Sequence, residues 1–172
     1  RFVTHEMNFA KAICSRVFYM DQGGIYEDGT PEQIFEHPQK DRTRRFIRKL
    51  KVLELNIDSP DFDFAGAGTE IVRYCLQNDI SSGTKYGLKL AFEELTTSIL
   101  QPVLDHVPVL VTLEYSEKDE NAEITASYGG DRFDPAESGD DLSYTLLQGS
   151  VRSLSYHYDP EAEQGNTIKD QI

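Results

Sequence analysis

Residues 17–31 have the sequence VFYMDQGGIYEDGTP, which sets the order of elements in the first third of the chain. Two short apolar runs, Val17–Met20 and Ile25–Glu27, flank the turn-forming segment Asp21–Gly24. Short runs rich in β-branched and aromatic residues on either side of a glycine-containing turn are typical of a β-hairpin. We therefore predict a strand, a tight turn and a returning strand.

Helices are predicted on both sides of this hairpin. Thr30 precedes Pro31 and is followed three positions later by Gln33, the pattern of an N-cap, a first-turn proline and a capping box. Apolar residues at helical spacing predict two further helices, over Asn8–Ser15 and Arg42–Leu50. About fifty residues of hairpin and helix bury little apolar surface, so we expect this segment to belong to a larger α/β domain.

Composition excludes several classes of function for the 172-residue chain. The formal net charge is -13, which disfavours nucleic-acid binding because phosphate contacts need clustered Lys and Arg. No apolar run approaches the roughly 18–20 residues that a membrane-spanning helix requires. Cys14 and Cys75 lie far apart without metal-ligand spacing, which is typical of free thiols in a reducing cytosol.

Charge also divides the chain into two parts. Residues 1–50 contain nine basic and seven acidic residues, whereas residues 51–172 contain eight basic and 23 acidic ones. The local net charge therefore changes from +2 to -15. Such a shift commonly marks a module boundary, and we place it near Leu50–Val52.

The second module is predicted to be a two-layer α/β sandwich with a mixed sheet, so that the whole chain is of the α/β (α+β) class. Its longest helix is expected near Thr84–Leu100, where apolar residues recur at the 3.6-residue period. Further helices are predicted over Ala67–Asn78 and Leu142–Val151. The predicted strands are Lys51–Ile57, Val109–Tyr115, Ala122–Tyr128, Leu154–Tyr158 and Thr167–Ile172.

The first module resembles the closing segment of ABC transporter ATPases of the polar amino acid importer type. The resemblance is carried by Val3–Met7, by Val17–Pro31 and by the Arg42-Thr43-x-x-Phe46 pattern. It implies that His5 is the switch histidine, which contacts the γ-phosphate of ATP. It also implies a full-length parent that uses ATP and magnesium and works with transmembrane permease subunits at the inner, cytoplasmic face of the cell membrane.

The motifs that would bind the nucleotide in such a parent are missing. No GxxxxGK[ST] phosphate-binding loop occurs in the sequence, and the acidic strand that would hold magnesium is also absent. We therefore expect this chain to be a truncated piece of an importer ATPase, inactive in ATP hydrolysis and without a cofactor or metal of its own.

The second module resembles the histidine-kinase-like (GHKL) ATPase fold, in the branch of the anti-sigma-factor serine kinases. The residues that carry this resemblance are Ala91–Ser98, Phe133–Pro135 and Asn166–Ile168. The resemblance places a water-activating general base at Glu94 and a nucleotide pocket at Ser98, Tyr128 and Gly130. A solvated helix carboxylate is the alternative interpretation of Glu94.

Four positions depart from that pattern. Ser98 replaces the magnesium-binding Asn, Tyr128 replaces the adenine-binding Asp, and the lid glycines fall on Asp141 and Ser143. We therefore expect a vestigial pocket that has lost nucleotide binding, in a regulatory or dimer-forming domain. Two alternatives stay open: an active ATP-dependent serine kinase, and an amino-acid sensor in which Tyr128 and Glu94 line the binding site.

Overall fold

A computed structural model describes residues 3–4, 7–137, 145, 147–149 and 152–172 of the chain. The chain forms two compact units, Arg1–Leu50 and Lys51–Ile172.

The first unit contains three helices and one β-hairpin among its described residues. The helices are α1 (Met7–Ile13), α2 (Pro31–Phe35) and α3 (Asp41–Arg48), and the strands are β1 (Val17–Asp21) and β2 (Gly24–Gly29). The two strands are antiparallel, with Asp21 paired to Gly24 across a two-residue turn. Gln22 and Gly23 both have positive φ angles, of 48° and 81°, as a type I′ turn requires. The predicted hairpin is confirmed.

Helix α2 begins with the predicted capping box. The Thr30 side chain accepts a hydrogen bond from the Gln33 backbone N–H, and the Gln33 side chain accepts one from the Thr30 N–H. Pro31 occupies the first turn, where a backbone N–H has no helical partner to lose. Helix α1 is Met7–Ile13, one residue earlier at its start and two shorter at its end than predicted.

The second unit contains a five-stranded sheet and, beside it, a layer of helices. The helices are α4 (Phe64–Gln77), α5 (Ser82–Glu94) and α6 (Gln101–Leu104), with a π-helical turn over Leu95–Ile99 and a 3-10 turn over Pro135–Glu137. The strands are β3 (Leu50–Ile57), β4 (Val109–Ser116), β5 (Asn121–Tyr128), β6 (Ser153–Tyr158) and β7 (Asn166–Gln171).

The sheet has the strand order β3-β4-β5-β7-β6. The pairs β4–β5, β5–β7 and β6–β7 are antiparallel. Along β5, the even-numbered residues Ala122, Ile124, Ala126 and Tyr128 are buried and their neighbours are only partly covered. This alternation means that one sheet face packs against the helices. The predicted α+β class, with a hairpin-and-helix unit and a helix-backed sheet, is confirmed, but these three strand pairs are antiparallel where a mixed sheet was predicted.

The core of the second unit is built on the predicted helical stripe. Leu88, Ala91, Phe92, Leu95 and Ile99 are all buried. The stripe crosses a change in helix type, because the Leu100 N–H donates to the Leu95 carbonyl five residues earlier at 2.8 Å. Helix α5 therefore continues through one π-helical turn instead of running as a uniform α-helix to residue 100.

Helix α4 also differs from its prediction at one boundary. It begins at Phe64 instead of Ala67 because the Asp63 side chain caps it by accepting the Gly66 N–H at 2.8 Å. Pro102 lies in the first turn of α6, where its missing N–H is tolerated. Of the helix predicted over Leu142–Val151, only residues 145 and 147–149 are described, and they are helical.

Candidate functional site

Three of the predicted site residues lie outside the described part of the chain. They are His5, the expected switch histidine, and Asp141 and Ser143, the expected lid positions. The roles expected of these three residues therefore stay predictions.

Glu27 is a buried carboxylate of the first unit that accepts backbone hydrogen bonds from a distant segment. Its two carboxylate oxygens accept the backbone N–H groups of Gln39 and Lys40 at 2.8 and 3.2 Å. Burial raises the pKa of Glu27, but the nearby Thr43 hydroxyl and the hydrogen bonds from the Gln39 and Lys40 N–H groups outweigh this effect and leave the pKa below its usual range. An ionised Glu27 thus ties strand β2 to the segment between α2 and α3.

Ion pairs also join the hairpin to its flanking segments. The Arg16 Nε donates to Asp28 at 2.8 Å, and Arg42 forms an ion pair with Asp21. The side chain of Arg16 keeps the pKa of the Asp28 carboxyl below its usual range. A shallow polar cavity of about 370 Å³ lies beside this pair, lined by Ser15, Arg16, Asp28, Gly29, Thr30 and Gln33.

Glu94 and Ser98 lie four residues apart at the junction of α5 and the π-helical turn. Both side chains are half-buried, whereas Leu95 and Thr96 between them are fully buried. The Thr96 hydroxyl donates to the Phe92 carbonyl at 2.7 Å, a local bond that stabilises the turn. Glu94 and Ser98 are one helical turn apart, and neither lines the cavity beside Arg16 or the groove near Gly87.

Tyr128 is fully buried at the end of strand β5. Its hydroxyl donates to the Phe133 carbonyl at 2.7 Å. Burial raises the pKa of Tyr128, with smaller effects of the same sign from Tyr156 and Asp134. The side chain therefore remains a neutral hydrogen-bond donor that holds the 129–134 loop.

Asn166, the first residue of β7, holds this loop by hydrogen bonds, a role that sequence analysis did not predict for it. Its side-chain oxygen accepts the Phe133 N–H at 3.0 Å, and its side-chain nitrogen donates to the Asp131 carbonyl at 3.1 Å. The Tyr156 hydroxyl donates to the same Asn166 oxygen. A polar residue at an inward-facing strand position was the available signal. Gly130, in the same loop, has a φ of 84°, which favours glycine.

The second unit also has a groove that sequence analysis missed. The groove has a volume of about 350 Å³ and is lined by Gly83, Thr84, Tyr86, Gly87, Leu90, Arg152 and Ile172. Gly83 and Gly87 are one helical turn apart on α5, so that face of the helix lacks side chains. A Cβ atom at Gly87 would lie 2.5 Å from Ile172 Cγ2, so the helix and the end of β7 are in close contact.

Asp170, two residues before Ile172, is a buried acid in this region. Its exposed fraction is 0%, and neither carboxylate oxygen has a hydrogen-bond partner among the described residues. Burial raises the pKa of Asp170 to about 7. Sequence analysis did not identify it, although an Asp at an inward-facing position of a predicted strand was the visible signal.

The described residues contain no group of three or more His, Cys, Asp or Glu side chains placed to hold a metal ion. None of the helices among them is long and apolar enough to cross a membrane.

The chain is similar to ATP-binding subunits of ABC amino-acid importers. It is 54% identical over 48 residues to the L-cystine import ATP-binding protein TcyN of Bacillus subtilis, a match that covers 28% of this chain and 18% of the relative. It is 50% identical over 48 residues to the arginine transport ATP-binding protein ArtM of the same organism, covering 20% of that relative. No protein-family profile matches the chain.

A third match is longer. The methionine import ATP-binding protein MetN 1 of Pseudomonas putida is 31% identical over 105 residues, which is 61% of this chain and 31% of the relative. The first unit has only 50 residues, so this match includes residues of the second unit. The chain thus spans between about a fifth and a third of the length of these curated relatives. None of the three is named as a kinase, and the histidine-kinase-like resemblance gains no support from them.

Proposed function

We propose that the chain is part of the ATP-binding subunit of an ABC importer for polar amino acids. The observation that carries this proposal is the identity of about half over 48 residues to importer subunits named for cystine and arginine. The hairpin, its capping box and the RT-x-x-F helix supply the local structure in which the resemblance lies.

In the full-length parent, His5 would act as the switch histidine at the ATP γ-phosphate. An imidazole suits this role because it donates a hydrogen bond where charge develops during phosphoryl transfer. The parent would use ATP and magnesium and would associate with transmembrane permease subunits at the cytoplasmic face of the membrane. Replacing His5 by Ala in such a parent should abolish ATP hydrolysis while leaving ATP binding measurable.

The second unit is proposed to be a non-catalytic regulatory or dimer-forming domain. The Tyr128 hydroxyl is committed to the Phe133 carbonyl, and Glu94 and Ser98 line neither cavity, which supports a structural role for the vestigial nucleotide residues. If a histidine-kinase-like serine kinase were present instead, Mg-ATP would bind and Glu94→Ala would remove its activity. Homodimer formation is a separate expectation that sedimentation of the full chain would test.

Amino-acid sensing is the second candidate function of this unit. It is favoured because the match to a subunit named for methionine import extends into the second unit. In this hypothesis the domain reports the concentration of the transported amino acid to the ATPase. Tyr128 and Glu94 are the positions that the sequence pointed to for the binding site.

A thermal-shift screen of the whole chain tests these alternatives together. A ligand that binds only the folded state raises the melting temperature. The regulatory proposal expects no shift with Mg-ATP, even at millimolar concentration. A shift with L-methionine, L-cystine or L-arginine but not with their D-isomers would support sensing. A micromolar affinity for Mg-ATP that Glu94→Ala abolishes would overturn the proposal in favour of the kinase.

A further inference from the structure

We propose that Asp170 is a proton-controlled latch on the contact between strand β7 and helix α5. While its carboxyl is protonated, Ile172 closes against Gly87. When the carboxyl loses its proton, this contact opens, and Arg152 turns in to pair with Asp170. The inference goes beyond the proposed transport function and concerns a conformational control within the second unit.

The position of Asp170 in the sheet supports this proposal. Asp170 is paired with Ile124 on β5 and with Leu154 on β6, so strands cover it on both sides. It shares its face with Ile168, which is also buried, and this face packs against the helices. A carboxylate in such a setting has neither water nor a hydrogen-bond donor to stabilise its charge.

No described charge compensates for this burial. The other acidic and basic residues of strands β5, β6 and β7 are Glu123, His157 and Lys169. All three lie on the sheet face opposite to Asp170, where the Lys169 Nζ is 2.7 Å from a Glu123 carboxylate oxygen. Tyr128 and Tyr156 share the face of Asp170, but their hydroxyls are committed to the loop near Asn166.

Helix α5 also supplies no counterion for Asp170 in the structure. Its charged residues are Lys85, Lys89, Glu93 and Glu94. Lys89 pairs with Glu93 at 3.3 Å, Lys85 acts electrostatically on Cys75 of α4, and Glu94 lies at the far end of the helix. Burial is therefore the cause of the raised pKa of Asp170.

The end of the strand offers the shortest route to water and to a counterion. The Arg152 N–H donates to the Gln171 carbonyl at 2.6 Å, which places Arg152 across from Ile172. Arg152 directly precedes β6 and Ile172 directly follows β7, so alternation continued by one residue would place both on the face of Asp170. Arg152 is exposed and lines the groove together with Ile172 and Gly87. In the proposed latch, Arg152 turns inward as Ile172 leaves Gly87, and the shape of the groove that all three residues line changes.

Methyl and carboxyl NMR on the full 172-residue chain tests the latch. Spectra of ¹³C-labelled Asp, Ile and Leu would be followed from pH 5 to pH 9. We expect the Asp170 carboxyl, the Ile172 methyls and the Leu90 methyls to shift with one midpoint near 7. Asp170→Asn should remove the pH-dependent shift of both methyl groups. Asp58→Asn, which removes an exposed carboxyl of the same unit, should retain it.

Two further variants make the outcome decisive. Arg152→Gln should raise the midpoint by at least half a pH unit, because the ionised state loses its partner, and an unchanged midpoint would overturn the role of Arg152. If Asp170→Asn does not fold, Asp170→Leu replaces it and should give methyl shifts that do not change with pH. The latch is wrong if the Asp170 carboxyl titrates below pH 5, or if the Ile172 shift persists without Asp170.

Discussion

In the first unit, Ile25 on β2 is 60% exposed and Met20 on β1 is 58% exposed, whereas Phe92 on α5 of the second unit is 1% exposed. The second unit buries a continuous cluster that runs from Leu55 to Ile168 across its helices and sheet. Among the residues of the first unit that the structure describes, few apolar side chains, such as Ile34, are buried.

This difference shows that regular secondary structure and a hydrophobic core are separate properties. The hairpin and helices of the first unit are specified locally, by a type I′ turn, a capping box and ion pairs. Such local interactions contribute only about 0.5–2 kcal/mol each, less than the burial of a large apolar cluster. Under the proposed function, the rest of the importer subunit would cover the exposed apolar face.

The largest expected effect is obtained by separating the units. Residues 51–172 expressed alone should melt cooperatively, because they contain the described core. Residues 1–50 alone should give no cooperative melt and poorly dispersed amide spectra. Calorimetry and two-dimensional NMR of both fragments would measure this. A sharp melting transition for residues 1–50 would remove the basis of the comparison.

The next effect compares two leucines within the second unit. Leu95 is fully buried, whereas Leu76 on α4 is 65% exposed. Leu95→Ala should lower the free energy of unfolding by about 2–5 kcal/mol, because it removes packed methyl groups and leaves a cavity. Leu76→Ala should change it by less than about 0.5 kcal/mol. Urea denaturation gives both values, and equal losses would mean that the buried face has been assigned wrongly.

The buried carboxyl of Asp170 should make the free energy of unfolding depend on pH. Its folded-state pKa of about 7 lies above the ordinary 3.8, so the folded protein binds the proton more tightly. The stabilisation is therefore complete below about pH 3.8 and is lost as the pH rises to 7. Across this window the free energy of unfolding should fall by about 1.4 kcal/mol per pH unit.

Denaturation curves at several pH values would measure this slope. The difference between the unaltered chain and Asp170→Asn isolates the contribution of one carboxyl, since other groups cancel. The part of the slope that comes from Asp170 should be absent from the variant. A difference that stays constant from pH 4 to pH 7 would contradict a buried, protonated Asp170.

The smallest expected effect concerns Glu27, the buried acid of the first unit. Glu27→Gln removes the charge from two hydrogen bonds and should cost about 1–2 kcal/mol, seen as faster amide exchange at Gln39 and Lys40. The folded-state pKa is lowered, so this stabilisation is present above the ordinary pKa of Glu and is lost as the pH falls through the folded value. Glu32→Gln, at an exposed position of α2, should leave the same amides unchanged.

Sequence analysis anticipated the features that depend on local chemistry. The hairpin, the Thr30 capping box and the buried stripe of α5 each follow from residues a few positions apart. The strand order β3-β4-β5-β7-β6 was not available from such patterns, because it depends on contacts between distant segments. The α+β class could still be predicted from the alternation of apolar and polar residues.

The site was anticipated less well than the fold. The groove depends on the approach of Gly87 to Ile172, which are 85 positions apart. The roles of Asn166 and Asp170 were overlooked because their inward-facing positions do not show which partners the neighbouring strands and loops bring to them. His5, Asp141 and Ser143 stay predictions.

The π-helical turn at Leu95–Ile99 also bears on how this chain tolerates changes of length. A single i→i+5 turn inside an α-helix corresponds to one inserted residue, absorbed without breaking the helix. Deletion of one residue from this turn would restore α-helical hydrogen bonding there and would rotate Glu94 relative to Ile99 by about one residue step. Related proteins whose helices differ in length by one residue could therefore pack against the same sheet. Alignments of such proteins should place gaps at this turn and not in α5.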